Sequence, residues 1–417
     1  MNERNFSITM DRGLFLPGKY LIDLYMANLL FEKIQEEIAE SGPLPFSRYM
    51  ELCLYHPELG YYNRGNAQFG KAGDFYTSSD VEGILGRLLA RQFDEIWRLG
   101  GSPNEIQVLE LGPGRGFLAK DVLDWCEKKF PAFFAALDYR LVERSPELGK
   151  QLRRNLARHF ESGRCSFLKS SLVDPDRQLP GRLSAAAPGK RQFSGRTLQI
   201  ILANEFFDSL PFEVLGQNGQ LRIGLENGQL VEIWDSPTAE ALDYIDRYSV
   251  RPEAGERIEA PLVAQNYASA CAQLIECGFF IAIDYGYTRD EVFAGRYRGT
   301  LMTYRQHATS ADPYQAPGEQ DITAHVNFTA IAAALQRSGM HPQKLVTQSE
   351  FLMGIGESTE FRDAFQDCRL PEDHRKASLR LKLLVTPAGL GETFQVQVAT
   401  KRVSLDAVSR LSGLKFR

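Results

Sequence analysis

The residues able to do chemistry fall into three groups. Glu110 stands just ahead of Gly112, Gly114 and Gly116, which occupy every second position after the run 106–109. Glycines so spaced let a ligand approach the backbone closely, and Glu110 sets a carboxylate beside that opening. Glu143 closes the run 139–143, and an acid there, one strand after a glycine turn, binds ribose hydroxyls. The third group is Asn204-Glu205-Phe206-Phe207-Asp208, an amide and two acids behind the apolar run 198–203. Chemistry of this kind needs a parallel sheet, with all three groups at the carboxyl ends of its strands.

Spacing narrows the ligand. A dinucleotide fingerprint starting at Gly112 needs a third glycine at 117, and that residue is Phe117. The pattern E-x-G-x-G-x-G instead resembles motif I of class I S-adenosylmethionine methyltransferases. That ligand has no pyrophosphate; it carries an ammonium, a sulfonium and a carboxylate. Glu110 supplies negative charge toward its cationic end, and the N-terminus of the helix beginning near 118 favours its carboxylate. A purely structural strand–helix turn is the plain alternative.

Composition excludes several classes. The 417 residues carry 48 Lys and Arg against 53 Asp and Glu, net −5, with no basic block to meet nucleic-acid phosphates. No apolar run approaches the roughly 20 residues of a membrane span. The N-terminus has Glu3 and Asp11 and no apolar signal core. Six cysteines include no C-x-x-C pair, so reduced thiols and a cytoplasmic location are expected. His307 and His325 form no tight pair and have no cysteine near them, so no metal site is expected. Ser170 and Ser171 lack a nucleophile elbow.

The remaining elements follow from periodicity. Helices are expected over 30–41, 47–54 and 81–97, the last capped by Asp80, and again over 148–160, 239–248, 262–277 and from 331. Asn218-Gly219 and Asn227-Gly228 predict hairpins within 212–234. Strands are expected at 166–168, 279–284, 344–346 and 394–398. The segments 60–79 and 299–328 read as polar, aromatic loops that close over a ligand, and 178–197 as a mobile loop.

Together these motifs resemble the MidA-like (DUF185) family of class I methyltransferases, which includes the mitochondrial complex I assembly methyltransferase. The matching stretches are Gly60-Tyr61-Tyr62, Gly73-Asp74-Phe75-Tyr76-Thr77-Ser78, Glu110 to Gly116, Val142-Glu143-Arg144-Ser145-Pro146, Asn204 to Asp208, Ile283-Asp284-Tyr285-Gly286 and Asp321-Ile322-Thr323-Ala324-His325-Val326. Ser79 stands where the family usually has Pro, and Leu85-Gly86-Arg87 where it has Phe-Gly-Glu, which leaves the substrate less defined than the cofactor.

The resemblance implies an α/β class I methyltransferase, Rossmann-like, with a mostly parallel sheet and a terminal antiparallel pair made by the 344 and 394 segments. Residues 1–79 would form an N-terminal helical segment and loop, and 80–417 the cofactor-binding domain, with insertions at about 212–270 and 349–385. S-adenosylmethionine would be held by Glu110, Gly112, Gly114, Gly116, Glu143, Asn204, Asp74, Phe75 and Thr77. The implied substrate is an arginine of a protein, with a respiratory-complex subunit as a candidate. A guanidinium is always protonated in water. Glu205 and Asp208 would therefore orient it, and His325 would accept the proton. A small-molecule O-methyltransferase and a non-catalytic assembly factor are the competing readings. Oligomeric state is left open, with a dimer allowed.

Overall fold

The computed structural model describes residues 18–64, 83–168, 197–291, 299–305 and 308–415. Asp74, Phe75, Thr77, Asp80 and His307 lie outside these residues. The central sheet is built from β1 (Ile106–Leu111), β2 (Leu137–Val142), β3 (Cys165–Phe167), β4 (Leu198–Asn204), β5 (Gly278–Tyr287) and β6 (Phe394–Lys401). Their spatial order is β3-β2-β1-β4-β5-β6. The first five run parallel, and β6 is antiparallel to β5. Continuous apolar runs suit strands covered on both faces, and every residue of β1 is buried.

One face is covered by α3 (Ile84–Leu99) and α4 (Phe117–Lys129), numbered after α1 (Gly18–Ser41) and α2 (Phe46–Tyr55). Ile84, Leu88, Leu89, Phe93 and Ile96 form the buried stripe of α3. A Cβ on Gly86 would stand 2.5 Å from Cβ of Asp121, so that glycine sets the close approach of α3 to α4. The helices Leu262–Leu274 and Phe328–Arg337 cover the other face through Ala268, Cys271, Ile331 and Leu335. α1 and α2 share a further core with the hairpin insertion, where Phe46, Tyr49 and Met50 meet Phe212, Val214 and Ile223. Among the described residues no helix is long and apolar enough to cross a membrane.

Three expectations change. The helix over 148–160 is two helices, Pro146–Asn155 and Ala157–Glu161, separated at Leu156. The 344 strand is reduced to two short edge pairings on β6, His341–Pro342 and Val346–Thr347. Pro342 has no N–H to extend the ladder. The 299–328 segment is no simple loop. Met302–Arg305 pairs with Ala308–Ser310 and Asp321–Thr323, and Val326–Asn327 pairs parallel with the end of β5. Thr303, Asp321 and Thr323 are buried there, so polar residues occupy positions where a strand signal would need apolar ones.

Candidate active site

Register brings the three groups together. Leu111 stands opposite both Val142 and Ala203, so Gly112, Glu143 and Asn204 leave the sheet at one level. Ile283 stands opposite Asn204, which sets Asp284 beside Glu205. β1 lies between β2 and β4 where the strand order reverses, the crevice in which open α/β sheets bind ligands.

The glycine turn is built from left-handed backbone, with φ of 60° at Gly112, 54° at Gly114 and 77° at Gly116. Two of these glycines serve packing. A Cβ on Gly112 would lie 2.8 Å from the Phe206 ring, and one on Gly116 2.9 Å from Leu152. Gly114 differs: a Cβ there would meet nothing within 4 Å. Its missing side chain leaves space over the turn. Its N–H donates to Oε2 of Glu143 at 3.0 Å, and the Ser145 N–H donates to Oε1 at 2.7 Å. Burial still pushes the Glu143 carboxyl up to about 7, against those hydrogen bonds. Glu110 lies sealed at the end of β1, 3% exposed, accepting the Tyr139 hydroxyl at 2.7 Å. Burial, with the Glu143 charge adding, pushes Glu110 up to about 7 as well. The charge expected of Glu110 is thus held inside the sheet edge and not in the open turn.

S-adenosylmethionine fits this half. The space over Gly114 would admit the methionine portion, the Glu143 carboxylate would accept from a ribose diol, and the backbone N–H groups at the start of α4 would meet a carboxylate.

The second half begins at Glu205, which has a φ of 48° and donates its N–H to the Ile283 carbonyl at 2.9 Å. No helix starts here. The next three N–H groups, of Phe206, Phe207 and Asp208, converge on Oδ2 of Asp284 at 3.2, 3.0 and 3.3 Å. The Tyr285 N–H donates to the other oxygen at 3.0 Å. Burial first, then the charges of Asp208 and Glu205, hold the Asp284 carboxyl well above the usual carboxylate range. Asp208 is 7% exposed. Its Oδ2 accepts the Tyr285 hydroxyl, while its Oδ1 is buried and makes no hydrogen bond. Burial pushes this carboxyl up to about 6, with the Tyr285 hydroxyl leading the groups that oppose it.

His325 reaches the same cluster. Its N–H donates to Oγ1 of Thr300 at 3.0 Å, and its ring meets Tyr285 edge-on, centroids 5.3 Å apart. The Ala324 N–H donates to the Asp208 carbonyl at 3.1 Å, tying the two segments. The end of α2 and the turn after it close the far side. Tyr55 donates to the Ser209 carbonyl, Tyr62 donates to Asp321, and the Tyr62 carbonyl accepts the Ser145 hydroxyl. Asp208 and His325 are therefore joined through Tyr285, and Glu205 stands beside them next to Asp284. Asn204 lies between the halves, its amide 3.4 Å from Oε1 of Glu205. Sequence reasoning marked Asp284 and Tyr285 as a motif but gave neither a role, because their partners lie 76 to 78 residues away.

Comparison with known proteins gives the family. Residues 88–346 match Methyltransf_28, the S-adenosyl-L-methionine-dependent methyltransferase family that is also called MidA-like. The chain is 30% identical to the mitochondrial protein arginine methyltransferase NDUFAF7 homolog of Drosophila melanogaster, covering 88% of this chain and 83% of that protein. It is 28% identical to mitochondrial NDUFAF7 of Danio rerio, covering 88% and 85%. A COG1565 superfamily protein of Burkholderia thailandensis, solved with S-adenosyl-homocysteine, superposes with a TM-score of 0.76 at 27% identity, covering 95% and 98%. The relatives are named as mitochondrial, which contradicts the expected cytoplasmic location. The free thiols on which that expectation rested report a reducing environment, not one compartment. By the family match and the extent of these similarities, the chain belongs to the MidA-like family of S-adenosylmethionine-dependent methyltransferases.

Proposed function

We propose that this methyltransferase acts on an arginine of a protein substrate. The observation that carries the reading is the buried Asp208 carboxylate, which has one oxygen engaged by Tyr285 and the other without a hydrogen bond. A buried unpaired acceptor beside Glu205 and Asp284 suits a cationic donor and repels an anionic one. The names of the relatives, protein arginine methyltransferases, support the same acceptor.

S-adenosylmethionine supplies an electrophilic methyl group. The protein's own part is positioning and charge. Glu205 and Asp208 accept from the planar guanidinium fork, which fixes its orientation and meets its charge. Their hold aims the remaining nitrogen toward the glycine turn. As that nitrogen gains a methyl it must shed a proton, and His325 is the group assigned to take it. The tyrosines of the far side, Tyr55 and Tyr62, limit water in the cluster.

The test is to incubate the pure protein and a cell extract with methyl-labelled S-adenosylmethionine, then map the label by mass spectrometry. Label on arginine nitrogens of a protein is the expected result. Label confined to small molecules would overturn the proposed acceptor, and no label at all would point to an assembly role without catalysis.

A further inference from the structure

We infer that Tyr285 is a positioning residue: its hydroxyl engages Oδ2 of Asp208 and so leaves Oδ1 as the oxygen that meets the substrate. The inference rests on the proposed role of Asp208 in holding the acceptor.

Three observations carry it. The two oxygens of Asp208 are unequal, although both belong to a side chain only 7% exposed: one accepts the Tyr285 hydroxyl and the other makes no hydrogen bond. Buried carboxylate oxygens in folded proteins are almost always paired, so an unpaired one marks a place for a donor. Next, the Tyr285 ring cannot swing away. It is held edge-on between His325 and Phe394, with centroids 5.3 and 5.6 Å apart, and Phe394 is its cross-strand partner on β6. Last, Asp284 and Tyr285 clamp one turn in two ways. Asp284 takes the backbone N–H groups of residues 206–208, and Tyr285 takes the side chain of 208. Together they fix the position of the carboxylate and its rotation about the Cβ–Cγ bond.

A single hydroxyl can do this because it also biases ionisation. Hydrogen bonding to the charged form of an acid favours that form, whereas burial disfavours it. The groups facing Asp208 are Asp284 and Tyr285 from β5, Glu205 from its own turn, and Tyr55 and Tyr62 from the end of α2 and the turn beyond. His325 and Thr323 reach it through Tyr285. Burial pushes its proton affinity up, and the Tyr285 hydroxyl leads the groups that pull it down. Without the hydroxyl Asp208 would stay protonated to higher pH, and a neutral acid holds a guanidinium poorly.

Tyr285→Phe keeps the ring and removes the hydroxyl. Three readouts are taken on this variant: carboxyl carbon NMR titration of Asp208, methyl incorporation into extract protein across about pH 5 to 9, and calorimetric affinity for S-adenosylmethionine; Asp208→Asn is assayed for the last two. For Tyr285→Phe the Asp208 midpoint and the acidic limb of turnover should both rise by about one pH unit, with cofactor affinity within about twofold of the native value. Turnover near pH 6 should then fall about fivefold and recover above pH 8. A merely structural role would not move the limb. A native titration and a native pH profile in Tyr285→Phe, with Asp208→Asn inactive, would overturn the inference and leave the role of Asp208 intact. Full turnover in Asp208→Asn would instead overturn the role of Asp208. If the Phe variant does not fold, 3,5-difluorotyrosine at position 285 provides a stronger donor of nearly the same shape. It should move the limb downward, and an unmoved limb would again overturn the inference.

Discussion

The two halves of the site handle buried charge in different ways. Around Gly112, Gly114 and Gly116 the work is done by the backbone: left-handed glycines open a space, and the N–H groups of Gly114 and Ser145 hold Glu143. Around Glu205 and Asp208 it is done by side chains: Asp284 gathers three N–H groups and Tyr285 orients Asp208. A backbone site keeps its N–H donors whatever the side chain, but its left-handed turn is strained by any residue with a Cβ. A side-chain site tolerates bulk at its edges, yet each carboxylate depends on a partner distant in sequence. Damage to the first half should therefore appear in cofactor binding, and damage to the second in turnover or stability.

The largest expected effect is in the first half. Gly114→Val fills the space over the turn and forces a branched residue to a φ near 54°. Cofactor binding and methyl transfer should both vanish, while the far-UV spectrum stays native because no atom of the described residues lies within 4 Å of the new Cβ. Native cofactor affinity in that variant would break the division at once. Next is Asp284→Asn, which replaces one of the two oxygens that gather the turn by an N–H donor. A loss of about 2–3 kcal/mol of stability is expected from denaturant midpoints, with cofactor affinity nearly kept. A parallel loss of affinity would show the halves to be one unit.

Glu143→Ala comes third. It should weaken cofactor binding by about 1–3 kcal/mol in calorimetry, the scale of hydrogen bonds to a charged group. Turnover at saturating cofactor should be restored, which separates it from any acceptor-side variant.

The smallest effect is in pH dependence. The Glu110 carboxyl sits at about 7 in the folded chain against an ordinary 4.5. The folded state therefore binds the extra proton between those values, and the stability it confers is complete below about 4.5 and lost as pH rises through about 7. Thermal unfolding of the native protein should lose ground to Glu110→Gln over that window. A constant difference between the two would mean that Tyr139 keeps Glu110 ionised throughout.

The first half was legible in the sequence because it is local. Glycine spacing within seven residues, 110–116, sufficed, and a strand-end acid followed one crossover later. The positions of Glu205 and Asp208 were legible too, since an apolar run must deliver them to the carboxyl edge. Their presentation was not. It depends on Asp284 and Tyr285, and nothing in the spacing says which way a carboxylate 77 residues away will face. The small sheet within 299–328 was missed for a related reason. Thr303 and Thr323 are buried, with the Thr303 hydroxyl donating to the Ser310 carbonyl, and they leave no alternating apolar pattern to read. The 344 strand looked whole because Val346 carries strand propensity beside Leu345, whereas Pro342 limits the pairing that forms.

The most direct test of the division is Glu205→Gln, assayed for cofactor affinity and for arginine methylation in the same preparation. Glu205 stands on the boundary, one residue beyond Asn204 and beside Asp284. If the acceptor half is separate, affinity should stay within about twofold while methylation falls about 100-fold or more. Full methylation would contradict a role for Glu205 in holding the guanidinium, and affinity lost together with methylation would assign Glu205 to the cofactor.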